Sequence, residues 1–342
     1  MTTMRLFIFG AGTTVGTLGR PAVERFGERL AALEPQWIRR YPELAQAVRD
    51  LPSFSPDRPN AWRLDEAWTR LDYYAKLSGA LGVGDYEGDA STQIHAAVAT
   101  VYGGLDLVAA DMSLESQDFS LRQILDTAQV GDVIVSFNWD TLVERAANLL
   151  FGARRVPFLQ SPYPSSPQAV ALAKPHGSLS WRRIPGFFGP PTAYGPGGTP
   201  LLDSIPSNEI LEGLREPLLL GAVPIKSELI REVQRGNGIY ECIMSQWRTL
   251  CDAVTRADDI VVAGYSFPPE DQYGRFLLRE AARRRTARIR TLELWMPWEA
   301  NAGVIRNILE VLGPNQQPQR IEIRGPIVAP QSLIDRNEML RG

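Results

Sequence analysis

Residues 132–146 read DVIVSFNWDTLVERA, and this stretch decides the predicted fold. It opens with a β-branched run at residues 133–135, which is typical of a buried strand. It then becomes polar at Asn138 and Asp140, and from Thr141 the apolar residues take helical spacing. A strand, a polar turn and a helix in this order predict one unit of an open α/β sheet. Ligands of such sheets bind beyond the carboxyl ends of the strands, so this turn is a candidate site.

Composition excludes several classes of protein. The chain has 342 residues, 36 Lys and Arg against 39 Asp and Glu, and a net charge of −3, so nothing favours a nucleic-acid partner. Cys242 and Cys251 are the only two cysteines, which rules out a four-cysteine zinc module. No apolar run is long enough for a signal peptide or a membrane span. We therefore expect a cytoplasmic protein without a membrane signal.

Further apolar runs alternate with helical patterns along the chain. About six strands are predicted, most of them followed by a helix, from apolar runs near residues 6–9, 133–135, 218–220, 260–263, 291–296 and 320–328, and a further short run is predicted at residues 171–181. This alternation predicts an α/β fold, with a Rossmann-like and mostly parallel sheet covered by helices on both faces.

The helical patterns between the first and second strands are too long for an ordinary crossover. Residues 35–128 are predicted to form a helical insertion after the first strand-helix unit. The Rossmann-like domain then comprises residues 1–34 and 129–330, and residues 331–342 form a C-terminal tail. A glycine- and proline-rich loop at residues 186–207 fits either a lid or an irregular excursion.

Small and polar residues follow most of the predicted strands. The segments are GAGTT, SFNWD, KPHGS, AGYS and MPWE. Because parallel strands end at one edge of a sheet, these segments predict a nucleotide site with a catalytic group. Glycines in the first turn would let the backbone approach a pyrophosphate. The third glycine comes one residue later than in the standard dinucleotide motif, so a plain strand-turn-helix remains the alternative at that turn.

GAG after the first strand, FNWD, PHGS and GYSFPPED, in this order, resemble the sirtuin-like family over residues 7–299. The closest branch is that of bacterial proteins that act in anti-phage defence. This resemblance implies binding of NAD and its hydrolysis to nicotinamide and ADP-ribose, with NAD as the substrate and no true cofactor. It also implies control of the enzyme, through a homo-oligomer or through a complex with an ATPase-type partner subunit.

The same resemblance assigns roles to individual residues. Asn138 and Asp140 match the family's Asn-x-Asp near the nicotinamide and its ribose, and His176 matches its catalytic histidine. We expect Asn138 and His176 to be catalytic, with Asp140 in support. The glycine turn faces the dinucleotide phosphates, and the later glycine-serine turn faces the adenosine. The substrate-binding residues implied in this way are Gly10, Ala11, Gly12, Thr13, Thr14, Asn138, Asp140, Gly264, Ser266 and Glu299.

Departures from the family pattern narrow the activity. Protein-deacylating members carry a zinc module that this chain cannot build, and they have Gln at the position of Phe137. The segment TVGTLGRPAVE also replaces their conserved sequence after the glycine turn. These differences argue against acyl-lysine deacylation and leave NAD cleavage as the expected reaction, with no metal site.

Chemistry alone is compatible with that reaction. Nicotinamide is a cationic leaving group, so its bond to ribose breaks through an oxocarbenium-like transition state without a metal. An Asn amide can orient a ribose hydroxyl or the water, and a neutral imidazole can accept a proton near pH 7. Three alternatives stay open: Asp140 caps the following helix, His176 is a structural turn residue, or the domain senses NAD or ADP-ribose for a partner without turnover.

Overall fold

The computed structural model describes residues 3–10, 12–13, 120–159, 168–182, 217–219, 238–268, 271–296 and 301–325. The strands among them are β1 (Arg5–Phe9), β2 (Val133–Ser136), β3 (Phe158–Leu159), β4 (Val170–Ala173), β5 (Gly177–Arg182), β6 (Pro217–Leu219), β7 (Asp259–Ala263), β8 (Thr291–Trp295) and β9 (Arg320–Gly325). The α-helices are α1 (Ser120–Asp126), α2 (Leu142–Arg154), α3 (Gly238–Arg256), α4 (Gln272–Arg283) and α5 (Asn301–Leu312), and a 3₁₀ turn follows at Pro314–Gln316.

Seven strands form one parallel sheet in the order β3-β4-β2-β1-β7-β8-β9. After β1 the chain forms β2, β3 and β4 on one side of β1, and it later crosses to the other side to form β7, β8 and β9. The strand order therefore reverses between β1 and β7, which is where α/β sheets bind their ligands. The predicted α/β fold with a Rossmann-like sheet is confirmed.

Alternation of side chains along each strand supplies two apolar layers. Leu6 and Ile8 of β1 face a core that includes residues of α3, α4 and α5. Phe7 and Phe9 face the opposite core, with residues of α1 and α2. Both faces of the sheet are thus covered by helices, as an all-parallel sheet requires. Full burial of each such side chain contributes roughly 1.5–3 kcal/mol of folding free energy. Because both faces of the sheet are buried, successive residues of a strand are apolar, which gives near-continuous apolar runs in the sequence.

The run predicted at residues 171–181 is two strands that belong to different sheets. Strand β4 ends at Ala173, and Gly177 with φ 81° redirects the chain into β5. Strand β5 pairs antiparallel with β6 in a separate two-stranded sheet. The run predicted at residues 218–220 therefore lies outside the parallel sheet. Apolar runs alone do not encode this change of partner, because the turn geometry at Gly177 decides it.

Helix α1 comes from the end of the predicted insertion and packs on the sheet. Leu121, Ile124 and Leu125 belong to the same core as Phe7 and Phe9. The rest of the insertion up to residue 119, the loop 186–207 and the tail 331–342 lie outside the described residues.

Arg285 follows α4 and is buried rather than solvated. The side chain is 7 % exposed and donates to the carbonyls of Val254 and Ala257 at the end of α3. A cation at this position satisfies helix carbonyls that have no partner within the helix, and it complements the helix dipole.

None of the helices that the structure describes is long and apolar enough to cross a membrane.

Candidate functional site

The two glycine turns at the reversal point are in direct contact. The Gly12 N–H donates to the Gly264 carbonyl at 2.8 Å, and the Thr13 hydroxyl donates to the Ala263 carbonyl at 2.8 Å. A Cβ atom at Gly264 would lie 2.1 Å from the Thr13 nitrogen, and Gly264 has φ 62°. Glycine is therefore required there both for the backbone conformation and for the close approach of the turns.

This contact also uses the hydrogen-bond donors of the first turn. The Gly10 N–H donates to the Ala263 carbonyl, and the Thr13 N–H donates to the Gly10 carbonyl. Together with the Gly12 N–H, all three described N–H groups of the turn donate within the protein. A phosphate at this turn would have to displace these carbonyls or use other donors.

Asn138 lies beside the same turn. It follows β2, which pairs with β1, and it is 7 % exposed. Its side-chain amide donates to the Gly10 carbonyl at 3.0 Å, and its N–H donates to the Ser136 hydroxyl at 3.3 Å. The Asn138 side chain therefore connects the polar turn after β2 with the glycine turn after β1.

His176 follows β4, which pairs with β2, and its imidazole is largely buried at 8 % exposure. Its ring centroid is 5.1 Å from that of Phe137 in an edge-on arrangement and 5.8 Å from that of Trp247. Its Nε2 lies 3.5 Å from the Asp271 carboxylate. That distance is too long for a good hydrogen bond, but it places a carboxylate beside the buried imidazole.

Asp271 is a site residue that was not predicted. Its carboxylate accepts a hydrogen bond from the Tyr265 hydroxyl at 3.0 Å and one from the Gly274 N–H at 3.2 Å. It thus caps α4 while it faces His176. The available signal in the sequence was an acidic residue that closes GYSFPPED immediately before a helical pattern, which predicts a helix cap. The contact with His176 depends on the fold.

Tyr265 completes the cluster. Its ring stacks on Phe137 with centroids 4.3 Å apart and an interplanar angle of 7°. A Cβ atom at Gly10 would lie 2.6 Å from Tyr265, so the ring also packs on the glycine turn. One continuous set of contacts therefore joins Asn138, Gly10, Tyr265, Phe137 and His176.

The Tyr265 hydroxyl should lower the stability of the folded protein at alkaline pH. Burial, with the nearby Asp271 charge, raises the pKa of Tyr265 well above its ordinary value. Above about pH 10 the unfolded chain loses this proton and the folded chain keeps it, so the free energy of unfolding falls as pH rises. We expect Tyr265→Phe to flatten this decline, by at most about 1.4 kcal/mol per pH unit. Denaturant unfolding from about pH 8 to 11 measures both slopes.

Tyr273→Phe is the matched control. This half-buried tyrosine also has a raised pKa, chiefly through burial, but its hydroxyl donates to Met244 Sδ rather than to Asp271, so its removal should change the slope less. Identical slopes for wild type and Tyr265→Phe would contradict the prediction.

Asp140 lies one residue before Thr141, the N-cap of α2. Its carboxylate accepts a hydrogen bond from the Leu142 N–H at 3.1 Å, at the start of α2. Its backbone carbonyl accepts a hydrogen bond from the Lys174 ammonium at 2.5 Å. Asp140 is buried, with 3 % of the residue exposed.

The remaining predicted residues divide into two groups. Ser266 is exposed, and its carbonyl accepts a hydrogen bond from the Asn307 amide at 3.0 Å. It therefore lies at the outer end of the turn that begins with Gly264. Ala11, Thr14 and Glu299 lie outside the described residues. Within the described part of the chain, no group of three His, Cys, Asp or Glu side chains could hold a metal ion.

No family model matches the chain, and a search of curated proteins returns no match.

Proposed function

We propose that the chain is an NAD glycohydrolase that cleaves NAD to nicotinamide and ADP-ribose. The observation that carries the proposal is the set of contacts between the turns after β1, β2, β4 and β7. It brings Asn138 and His176, from two neighbouring strands, to the point where the strand order reverses. An amide and an imidazole with a nearby carboxylate are the groups that water activation beside a ribose needs.

In the proposed reaction, water attacks C1′ of the nicotinamide ribose. The bond from C1′ to the ring nitrogen breaks, and its electron pair neutralises the pyridinium charge of the leaving nicotinamide. His176 accepts the proton of the attacking water, and Asn138 orients the water or a ribose hydroxyl. Asp271 stabilises the imidazolium that forms, since a carboxylate near an imidazole favours its charged form. Asp140 supports the turn that carries Asn138.

Incubation of the purified protein with NAD tests the proposal. Chromatography of the mixture should show equal amounts of nicotinamide and ADP-ribose. Recovery of intact NAD, together with saturable binding by calorimetry, would instead support the non-catalytic sensing module. Absence of both binding and turnover would reject NAD as the ligand.

The biological setting is proposed from the motif resemblance. We propose a regulated effector of bacterial anti-phage defence, controlled as a homo-oligomer or by an ATPase-type partner, because uncontrolled loss of NAD would harm the host cell. Native mass measurement with and without NAD tests the assembly. A monomer with full activity would contradict control by assembly.

A further inference from the structure

A buried polar cluster lies between the turns that carry Asn138 and His176. It consists of Lys174, Glu144 and Ser178, which are 1 %, 0 % and 0 % exposed. The Lys174 ammonium donates to the Glu144 carboxylate at 2.5 Å, and the Ser178 hydroxyl donates to the same carboxylate oxygen at 3.0 Å. A buried charge of this kind needs a specific partner, because its removal from water is costly.

The positions of these residues link two parts of the site. Lys174 immediately follows β4 and Ser178 lies in β5, so Glu144 binds on both sides of His176 in the sequence. The Lys174 ammonium also donates to the Asp140 carbonyl, two residues after Asn138. A single ammonium and a single carboxylate therefore connect the turn after β2 with the turn after β4.

Helix α3 also contacts Lys174. The Lys174 N–H donates to the side-chain oxygen of Gln246 on α3 at 3.0 Å, and Gln246 is fully buried. The backbone of the His176 turn is thus held from the helix on one side and from the Glu144 carboxylate on the other.

We propose that Lys174 and Glu144 are positioning residues that set the place of His176 relative to Asn138. The catalytic part of this inference rests on the proposed NAD glycohydrolase activity. The structural part, which concerns the environment of the His176 imidazole, can be measured without turnover.

Folding stability alone does not explain why Lys174 and Glu144 form a buried ion pair. A buried ion pair can often be replaced by apolar side chains of similar volume without loss of stability. The second carboxylate oxygen of Glu144 has no hydrogen-bond partner among the described residues, so its loss of water contacts is not compensated there. Burial raises the pKa of the Glu144 carboxyl, and Lys174 opposes this shift. Burial of these charges therefore costs free energy, and a role in positioning His176 is a physical reason for their presence.

A paired substitution separates the two roles. Either single change leaves one buried charge unpaired, so we expect Glu144→Leu and Lys174→Met each to lose the folded state. The double variant removes both charges together, and we expect it to fold. Its kcat for nicotinamide release should fall about 10²-fold, as for a misplaced catalytic group, while KM for NAD stays near that of wild type.

Histidine NMR supplies the second measurement. The chain contains only two histidines, so histidine-selective ¹³C labelling gives two imidazole signals, and His95→Gln assigns them. We expect the double variant to shift the His176 signals. Arg285→Met is the matched control. It removes another buried cation, which donates to carbonyls at the end of α3, and it should leave those signals in place.

The outcomes are distinguishable. A folded double variant with wild-type kcat and unchanged His176 signals overturns the proposal. If wild type releases no nicotinamide, the proposed activity fails, and the NMR comparison still decides the positioning role. If the double variant does not fold, Ser178→Ala removes one hydrogen bond to Glu144 without a change of charge. It should shift the His176 signals in the same measurement, and unchanged signals would overturn the proposal.

Discussion

Replacement of His176 by alanine is expected to lower the rate of nicotinamide release by about 10²- to 10⁴-fold, the usual contribution of a general base. Imidazole is the side chain whose ordinary pKa lies nearest 7, and His176 is the only histidine among the described residues. KM for NAD should change little, because the lost interaction is made in the transition state. Steady-state assays of nicotinamide release at several NAD concentrations give both constants.

His95→Ala is the control for this prediction, since it is the same substitution at the other histidine. It should keep the wild-type rate. A wild-type rate in the His176→Ala enzyme would remove His176 from the mechanism. Equal loss in both variants would indicate a general effect on the protein.

Asp271→Asn refines the same test. Asn caps helices about as well as Asp, so the hydrogen bond to the Gly274 N–H can be kept while the charge near His176 is lost. Without the carboxylate, the imidazolium that forms in the proposed transition state loses a nearby negative charge, so kcat for nicotinamide release should fall. A wild-type kcat would show that Asp271 acts only as a helix cap.

Gly264→Ala is expected to cost about 4 kcal/mol or more of folding stability, or to prevent folding. Its new Cβ would lie 2.1 Å from the Thr13 nitrogen and 2.4 Å from the Gly12 carbonyl carbon, both of which are backbone atoms. These atoms cannot move without separating β1 from β7 at the centre of the sheet. The positive φ adds further strain for any residue with a Cβ. Denaturant unfolding of the purified variants measures the loss.

Gly152→Ala provides the matched control. Gly152 lies within α2 and has no atom within 4 Å of an added Cβ, so alanine should stabilise the helix by about 0.5–1 kcal/mol. A Gly264→Ala protein as stable as wild type would show that the two glycine turns do not pack as described.

Several elements of the fold follow from local sequence. The run at residues 133–135 and the helical spacing after Thr141 predict β2 and the start of α2 to within a residue or two, because side-chain period depends on local geometry. The same holds for β7, predicted at residues 260–263 and observed at Asp259–Ala263. The edge strand β3, two residues long, shows no such period and was not predicted.

The candidate site was predicted less completely. Asn138 and His176 are recognisable because each follows a predicted strand in a short polar segment. Asp271 was not selected, since its local pattern predicts only a helix cap, and its distance from His176 depends on the pairing of β1 with both β2 and β7. The first glycine turn was expected to face the dinucleotide phosphates, whereas its described N–H groups donate to protein carbonyls.

For the stretch at residues 132–146, the sequence by itself determined a buried strand, a polar turn and an amphipathic helix, because apolar period and turn chemistry act between neighbours in the chain. Only the tertiary structure decided what that turn contacts. Asn138 binds the Gly10 carbonyl, and the Asp140 carbonyl and Glu144 both bind Lys174. The physical reason is that these partners are supplied by strand order and by close approach of backbones, and neither leaves a periodic signal in the sequence.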